Sequence, residues 1–567
     1  MKLFNSMNQT IEEFKPIHEH EVNMYVCGPT VYNYPHIGNA RPIVVFDTLK
    51  RTFQALGYKV KMVSNYTDVD DKIIKVAKEC GVSEKEITEK FIKAYNDDRL
   101  ALHAMMPDAA PRVTETMDAI IAFIELLVKK GHAYEIDGDV YFRVNSVESY
   151  GKLSNQQIDD LMVGARIDEN SKKENPLDFT LWKRTDEGIQ WNSPWSVGRP
   201  GWHTECVVMI NKEFHGEHTI DIHGGGMDLK FPHHENEIAQ SRAAYETPIA
   251  NYWIHNGMVN IDGEKMSKSL GNVIWAKDMI EKIGGNVLRW VFLSAHYRSP
   301  LNINEEAIET AKKELQKVQT SLKQAYVKLA LADVEITDEA EDTLLTPFMD
   351  AMQDDMNTPN AFAALFETVK VLNQTIRQRE VDLAFLQRIV KTVETMLDVL
   401  GIENNRLILS DEDKELHHKW KAAVKEKDFA TADDYRARLI EIQEYNGTSL
   451  AYMGDAVMSL YVRELLLSKG YQKSKDLQKF SEAWVSAKAQ AGFLNQLETE
   501  GFFTEEEWAI VLRGRNTNPK SKAKNADVIT YRKATGLEAV FGWLYLMKKE
   551  ERLLQLWQRI VALGDVK

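Results

Sequence analysis

Cysteine is scarce in this chain: three residues in 567, too few and too odd in number for a disulfide framework. That points to a reducing cytoplasmic setting and leaves each thiol available for a metal or for chemistry. Proline and glycine are also sparse, at 15 and 30, while hydrophobic and charged residues make up 44% and 27%, which excludes collagen-like, low-complexity and disordered chains. No apolar run approaches the ~18–20 residues of a membrane span, and the opening MKLFNSMNQTIEEFKP has no apolar segment of a secretion signal. A soluble, cytoplasmic protein with no membrane partner is expected. Positive charge is short too, with a net charge of -15, which spread evenly would argue against a nucleic-acid partner. It is not spread evenly: residues 445–567 hold 18 Lys and Arg against 14 Asp and Glu, and the preceding residues 52 against 71. At roughly 150 residues per domain the length suggests about four folded units.

What is present begins as an α/β unit. VNMYVCG reads as a strand ending in a Cys-Gly turn, ARPIVVFDTLKRTFQALGY as an amphipathic helix, and YKVKMVSNYTDVDD as a second strand running into an acidic turn. This spacing predicts a parallel sheet, whose ligands bind at the carboxyl ends of its strands, where Cys27, Thr67 and Asp68 fall. Residues from about 115 to 200 read as an insertion between two halves of the sheet. After it TIDIHGGG is expected as a strand and Gly-rich turn, FPHHENEIAQSRAAY as a helix, NYWIHNGMVNI as one strand and DGEKMSKSLGN as a loop. From 303 to 403 the pattern is long helices almost without Gly or Pro, a bundle; 404–444 continues as charged helix, and 445–567 is helical but separately organised.

Two short motifs carry chemistry. Pro35-His36-Ile37-Gly38-Asn39 lies between a strand end and a helix start, where Gly38 permits close approach and the unpaired helix N–H groups offer an anion site. Lys265-Met266-Ser267-Lys268-Ser269 places two cations in a Gly-flanked loop. Either alone reads as an ordinary turn or a solvated lysine pair. Together and in this order they resemble the two signatures of class I aminoacyl-tRNA synthetases, with Asn39 in place of the final His of the first.

The remaining donors bear on the substrate. Cys27 follows the first strand, Cys206 lies in Gly201-Trp202-His203-Thr204-Glu205-Cys206, and His233 and Glu237 stand four apart in a helical pattern, where one metal could take both. Two thiolates, an imidazole and a carboxylate suit zinc by softness; two buried hydrophobic cysteines and a helix-capping His pair are the alternative. Cys80, in KVAKECGVS, reads as an ordinary helix-end residue.

With YVCGPTVYNYPHIGN, SNYTDVDDKI, HGGGMDLKFPHHENEIAQ and EKMSKSLGN, residues 1–443 closely resemble the cysteinyl-tRNA synthetase family. The resemblance implies a Rossmann-type catalytic domain (1–302), a helical tRNA-binding bundle (303–403) and an anticodon-binding region (404–444) that here lacks the family's Gly-rich final strands. It implies zinc on Cys27, Cys206, His233 and Glu237; ATP, with magnesium, at His36, Gly38, Asn39, Lys265 and Lys268; and cysteine and adenylate at Thr67, Trp202, His223 and Asp228. The substrates would be L-cysteine, ATP and tRNA(Cys).

In place of the missing strands stand two helix patterns, LAYMGDAV and YRKATGLEAVFG, each carrying one acid amid apolar residues: Asp455 and Glu538. An acid so placed is costly unless paired, hydrogen-bonded or metal-bound. Between them residues 511–533 hold seven basic residues, among them Arg513, Arg515, Lys520, Lys522, Lys524 and Arg532, against one acid. Residues 445–567 resemble Mini-ribonuclease III, an all-α ribonuclease III domain without a separate RNA-binding domain. The resemblance implies Asp455 and Glu538 as magnesium ligands, the basic loop on double-stranded RNA, a precursor of ribosomal RNA as substrate, and a homodimer. A bifunctional fusion is the expectation; a tail serving only dimerisation and tRNA binding is the alternative.

Overall fold

The computed structural model describes residues 1–156, 172–265, 273–409, 411–425, 428, 431, 447–515, 528–547 and 549–564. It divides into two compact units, residues 1–408 and 409–567, and no described helix is long and apolar enough to cross a membrane.

The first unit is organised on a four-stranded parallel sheet. Its strands are β1 (Glu21–Val26), β2 (Lys59–Val63), β3 (Thr219–Gly226) and β4 (Ile249–Asn256), in the order β4-β3-β1-β2. Helix α1 (Ile37–Ala55) crosses from β1 to β2, and it is buried nearly all round, as a helix must be when it is packed on a sheet and covered by others. The insertion between β2 and β3 contains a helix, Met117–Lys129, and a separate five-stranded antiparallel sheet drawn from residues 133–200. Helices α2 (Glu205–Glu213) and α3 (Glu235–Tyr245) flank β3 in sequence.

Three local expectations change. Gly224, Gly225 and Gly226 belong to β3 and not to a turn: the Phe46 ring of α1 packs so close that a Cβ on Gly224 would lie 2.2 Å from it, which only a glycine strand tolerates. The helix holding Glu237 starts at Glu235, and His233 sits in the wide turn Lys230–His234 before it. NYWIHNGMVNI is two strands, because β4 stops at Asn256 and pairing resumes over Val259–Ile261.

After helix α4 (Gly285–Leu293) the chain enters a bundle of α5 (Glu305–Ala330), α6 (Asp342–Gln353), α7 (Thr358–Ile376) and α8 (Leu383–Leu400). Asn304 caps α5 by accepting from the Ala307 amide at 2.8 Å, and Ile308, Ala311, Leu315, Val318, Leu322, Ala325 and Leu329 then recur at the three-and-four spacing of one buried stripe. That stripe and the apolar faces of α7 and α8 form one continuous core. Arg289 of α4 ties the bundle to α1: it forms a buried ion pair with Asp47 of α1 and donates to the Leu400 carbonyl of α8 at 2.6 Å and to the Leu102 carbonyl at 3.0 Å.

The second unit is all helical over the described residues. Helices α9 (Gly447–Ser468), α10 (Ala487–Thr499), α11 (Glu505–Arg515), α12 (Val528–Leu546) and α13 (Glu550–Gly564) share a core that includes Leu450, Met458, Leu494, Leu537, Phe541 and Leu556. Helix Asp411–Lys425 falls within this unit's residue range.

Candidate metal and nucleotide site

Cys27 leaves the carboxyl end of β1, Cys206 stands in the first turn of α2, His233 in the wide turn and Glu237 in the first turn of α3. The fold brings their donor atoms within 4.8 Å of one another. Cys27 Sγ is 3.6 Å from Cys206 Sγ and 3.6 Å from Glu237 Oε1; Cys206 Sγ is 3.7 Å from His233 Nε2. Zinc bonds of ~2.0–2.3 Å set tetrahedral ligand edges of roughly 3.3–3.8 Å, so these three edges suit the ion. The fourth, His233 Nε2 to Glu237 Oε1, is drawn in to the 2.8 Å of a hydrogen bond.

The four donors interact electrostatically with one another. A hydrogen bond from Cys27 brings the Cys206 thiol down to about 7, while burial pushes Cys27 well up. Burial opposes charge on His233, yet the Glu237 carboxylate beside it raises its pKa to about 10. Glu237 is held well below its ordinary range, against burial, by His223 and His233.

A surrounding layer orients these groups. His223 on β3, stacked on Trp253 of β4 at 4.5 Å, meets Glu237 Oε2 at 2.6 Å. His203 Nδ1 meets His233 Nδ1 at 3.0 Å, and burial brings the His203 pKa down to about 3; His233 Nε2 is left facing Cys206 Sγ. A second overlapping set, Cys27, His223, His234 and Glu237, also comes together. Having one sulfur, it is the harder set; there His234 Nε2 lies 3.3 Å from Cys27 Sγ while its Nδ1 meets His255 at 2.8 Å.

A cavity of about 430 Å³ runs from this cluster to the start of α1, lined by Cys27, His36, Gly38, Asn39, Trp202 and Asp228 among others. His36 precedes the helix, and its amide donates to Asn39 Oδ1 at 3.2 Å, so the residue standing where the family signature has His caps the helix start. Trp202 stacks on His233 at 4.2 Å. Two expected pocket residues are buried behind the wall. His223 is committed to Glu237, and Thr67 donates its hydroxyl to Glu205 Oε2 at 2.7 Å. Glu205, not singled out in the sequence, is an acid buried beside Cys206, and burial pushes its pKa well up; its only signal was one acid in an otherwise apolar helix turn. Lys265 ends a short hairpin, Asn260 opposite Lys265, whereas Lys268 lies outside the described residues.

In the second unit Asp455 of α9 is exposed, so the burial cost expected for it does not arise. Glu538 of α12 does bear that cost. Burial and then the charge of Asp455 push its carboxyl up to about 8, opposed by a hydrogen bond with Gln490 of α10. Gln490, almost wholly buried, also reaches Met458 Sδ at 3.5 Å, one turn beyond Asp455, and was not anticipated. Among the described residues no third His, Cys, Asp or Glu groups with this pair. Arg513 is exposed at the end of α11, Arg515 and Arg532 are half-buried, and Lys520, Lys522 and Lys524 lie outside the described residues.

The fold of the first unit is that of a class I tRNA synthetase catalytic domain. Residues 13–313 match the family of class I (C) tRNA synthetase catalytic domains, residues 347–404 the DALR domain, and residues 448–549 the ribonuclease III domain. The chain is 49% identical over 446 residues to the cysteine–tRNA ligase of Halalkalibacterium halodurans, covering 77% of this chain and 95% of that one. With the cysteine–tRNA ligase of Staphylococcus carnosus it shares 48% over 447 residues, 77% of this chain and 95% of the relative. The methionyl-tRNA synthetase of Mycobacterium tuberculosis with bound methionyl-adenylate is similar at a TM-score of 0.48 and 16% identity, over 67% of this chain and 89% of that one. The chain belongs to the cysteine–tRNA ligases and carries a ribonuclease III domain at its C-terminal end.

Proposed function

We propose that the chain joins two activities, formation of cysteinyl-tRNA by the first unit and magnesium-dependent cleavage of double-stranded RNA by the second. The observation that carries the first is the convergence of Cys27, Cys206, His233 and Glu237 on one another, with Cys27 in the wall of a cavity that the start of α1 also lines. The cysteine carboxylate attacks the ATP α-phosphorus and pyrophosphate leaves; a hydroxyl of the terminal tRNA ribose then attacks the adenylate carbonyl and AMP leaves. His36, Gly38, Asn39 and the helix N–H groups meet the phosphates, and Lys265 and Lys268 offset the charge developing on pyrophosphate. Trp202 and Asp228 face the substrate, with Thr67 and His223 positioning the wall behind it. Zinc on the four donors would supply a soft Lewis acid that favours a substrate thiolate over the hydroxyl of serine. Such a polar contact discriminates by ~10⁴ or more, and no editing step is then required.

In the second unit Asp455 and Glu538 would hold magnesium, which activates water at a phosphodiester. Arg513, Arg515, Lys520, Lys522, Lys524 and Arg532 would take the phosphates of an A-form duplex, a ribosomal RNA precursor among its substrates. A duplex cut on both strands calls for two such sites, hence a homodimer through this unit.

Cysteine-dependent ATP–pyrophosphate exchange by zinc-loaded protein tests the first activity, and its absence would end that reading. Incubation of double-stranded RNA with magnesium tests the second. A shift without cutting, unaltered by Asp455→Asn, would leave the tail as a binding module.

A further inference from the structure

The family signature at the start of α1 is followed by Arg41, which is fully buried. Among the described residues no carboxylate pairs with it. Its guanidinium instead donates to three main-chain carbonyls, Gly257 at 2.8 Å, Met258 at 3.0 Å and His296 at 3.3 Å, and its Nε has no partner. Burying a cation without a counter-ion is expensive, so its carbonyl partners mark a place where backbone position matters.

That place is the break between β4 and the strand Val259–Ile261. The chain there is pressed against its neighbours: the Gly257 amide donates to the Tyr297 carbonyl at 2.8 Å, and a Cβ on Gly257 would lie 2.4 Å from the Ser299 carbonyl. Gly257, Met258 and Val259 line the nucleotide cavity, as do Val273 and Trp275. This other segment is tied to the same turn of α1 by main-chain bonds, Ile37 N–H to the Ile274 carbonyl at 3.0 Å and Ala276 N–H to the Pro35 carbonyl at 2.8 Å. One wall is thus anchored to the signature turn by backbone, and the other by a single side chain.

We propose that Arg41 is a positioning residue for the nucleotide: its fork sets the Gly257–Met258 backbone relative to His36 and Asn39, and so the shape of the ATP half of the cavity, without touching substrate. The inference rests on the adenylate-forming reading of this site. Lysine keeps the charge but lacks the planar fork that spans carbonyls of three residues.

The test is ATP–pyrophosphate exchange with the full, zinc-loaded chain and its Arg41→Lys and Arg41→Gln variants. For Arg41→Lys, KM for ATP is expected to rise about 20-fold or more while KM for cysteine stays within about twofold; Arg41→Gln is expected to raise KM for ATP further. KM values do not depend on the fraction of protein folded, so Arg41→Lys decides the matter even if Arg41→Gln does not fold. An unchanged KM for ATP, whatever happens to kcat, or equal rises in both KM values, overturns the inference. Absence of exchange in the unmodified chain would instead overturn the reading on which it rests.

Discussion

Gly454 and Gly542 face each other where the two acid-bearing helices of the second unit cross: a Cβ on either would lie 2.8 Å from the amide nitrogen of the other. The same Cβ on Gly454 would stand 1.7 Å from the Glu538 carbonyl, and one on Gly542 2.0 Å from the Leu450 carbonyl. Backbone therefore meets backbone, and this contact sets Asp455, the next residue after Gly454, near enough to raise the pKa of Glu538. A second glycine pair works likewise between α11 and α12, where a Cβ on Gly514 would lie 2.9 Å from Gly536 Cα.

Gly454→Ala forces the helices apart. It is expected to destabilise the second unit by about 2–4 kcal/mol, at or above the usual cost of overpacking because backbone atoms cannot swing away. Denaturant unfolding followed by the tryptophans of that unit measures it; a loss below about 0.5 kcal/mol would show that the crossing relaxes freely.

Glu538→Gln and Asp455→Asn are each expected to abolish magnesium-dependent cutting of double-stranded RNA while leaving its binding in calcium within about threefold, since the basic residues are untouched. Glu538→Gln should also stabilise the metal-free protein by about 1 kcal/mol or more near neutral pH, because the folded state must hold Glu538 protonated, with its pKa raised to about 8, where the unfolded chain ionises it, and an amide carries no such cost. Gel shifts and thermal unfolding in chelator separate the two effects.

His223→Asn removes the partner that holds Glu237 Oε2. Zinc affinity, read by competition with a chromogenic chelator, is expected to fall about 10–100-fold, the usual cost of losing a group that orients a ligand. Cys206→Ser should lower zinc content outright, since a hard hydroxyl replaces a thiolate.

Asp98, buried on the helix Glu84–Ala101 with one carboxylate oxygen unpartnered, has its pKa raised to about 6, chiefly by burial and then by the charge of Asp97. A raised acid pKa means that the folded state disfavours the ionised form. The penalty is absent below the unfolded value of about 3.9, grows between there and about 6, and is complete above it. Asp98→Asn is expected to stabilise the first unit by about 2 kcal/mol at pH 7.5, a gain that shrinks as the pH falls towards 4. Chemical denaturation at pH 7.5 and pH 5 checks the sign, and a gain that grows on acidification would refute it.

Asp47→Ala leaves Arg289 buried without its carboxylate and also removes a partner of Arg51, whose Nε lies 2.8 Å from Asp47. A loss of about 3–5 kcal/mol is expected in the unfolding of the first unit.

Much of the first unit was legible in sequence because its signals are local. The apolar spacing of β1, α1 and β2 and the stripe of α5 each lie within one element, and local pattern is what fixes an element's type. The limits were set by contacts between elements. Nothing in TIDIHGGG announces that Phe46, some 180 residues earlier, packs where a side chain on Gly224 would stand. Nothing near Gly257 announces that Arg41, more than two hundred residues earlier, donates to its carbonyl. Gln490 and Glu205 were missed for the same reason, each being an ordinary polar residue until the fold places an acid or a threonine against it.

The sequence by itself determined the chemistry available: three cysteines, a run of histidines with one carboxylate four residues on, a helix start with Gly38, and two solitary acids flanking a basic stretch. Side-chain type fixes softness, charge and hydrogen-bonding capacity before any folding. Only the tertiary structure decided that His233 and His234 both turn a ring nitrogen towards a sulfur, that His223 meets Glu237 behind the cavity wall, and that Glu538 and not Asp455 bears the cost of burial. Those outcomes depend on ångström-scale separations between elements up to about two hundred residues apart, set by sheet register and by helix crossings through glycine.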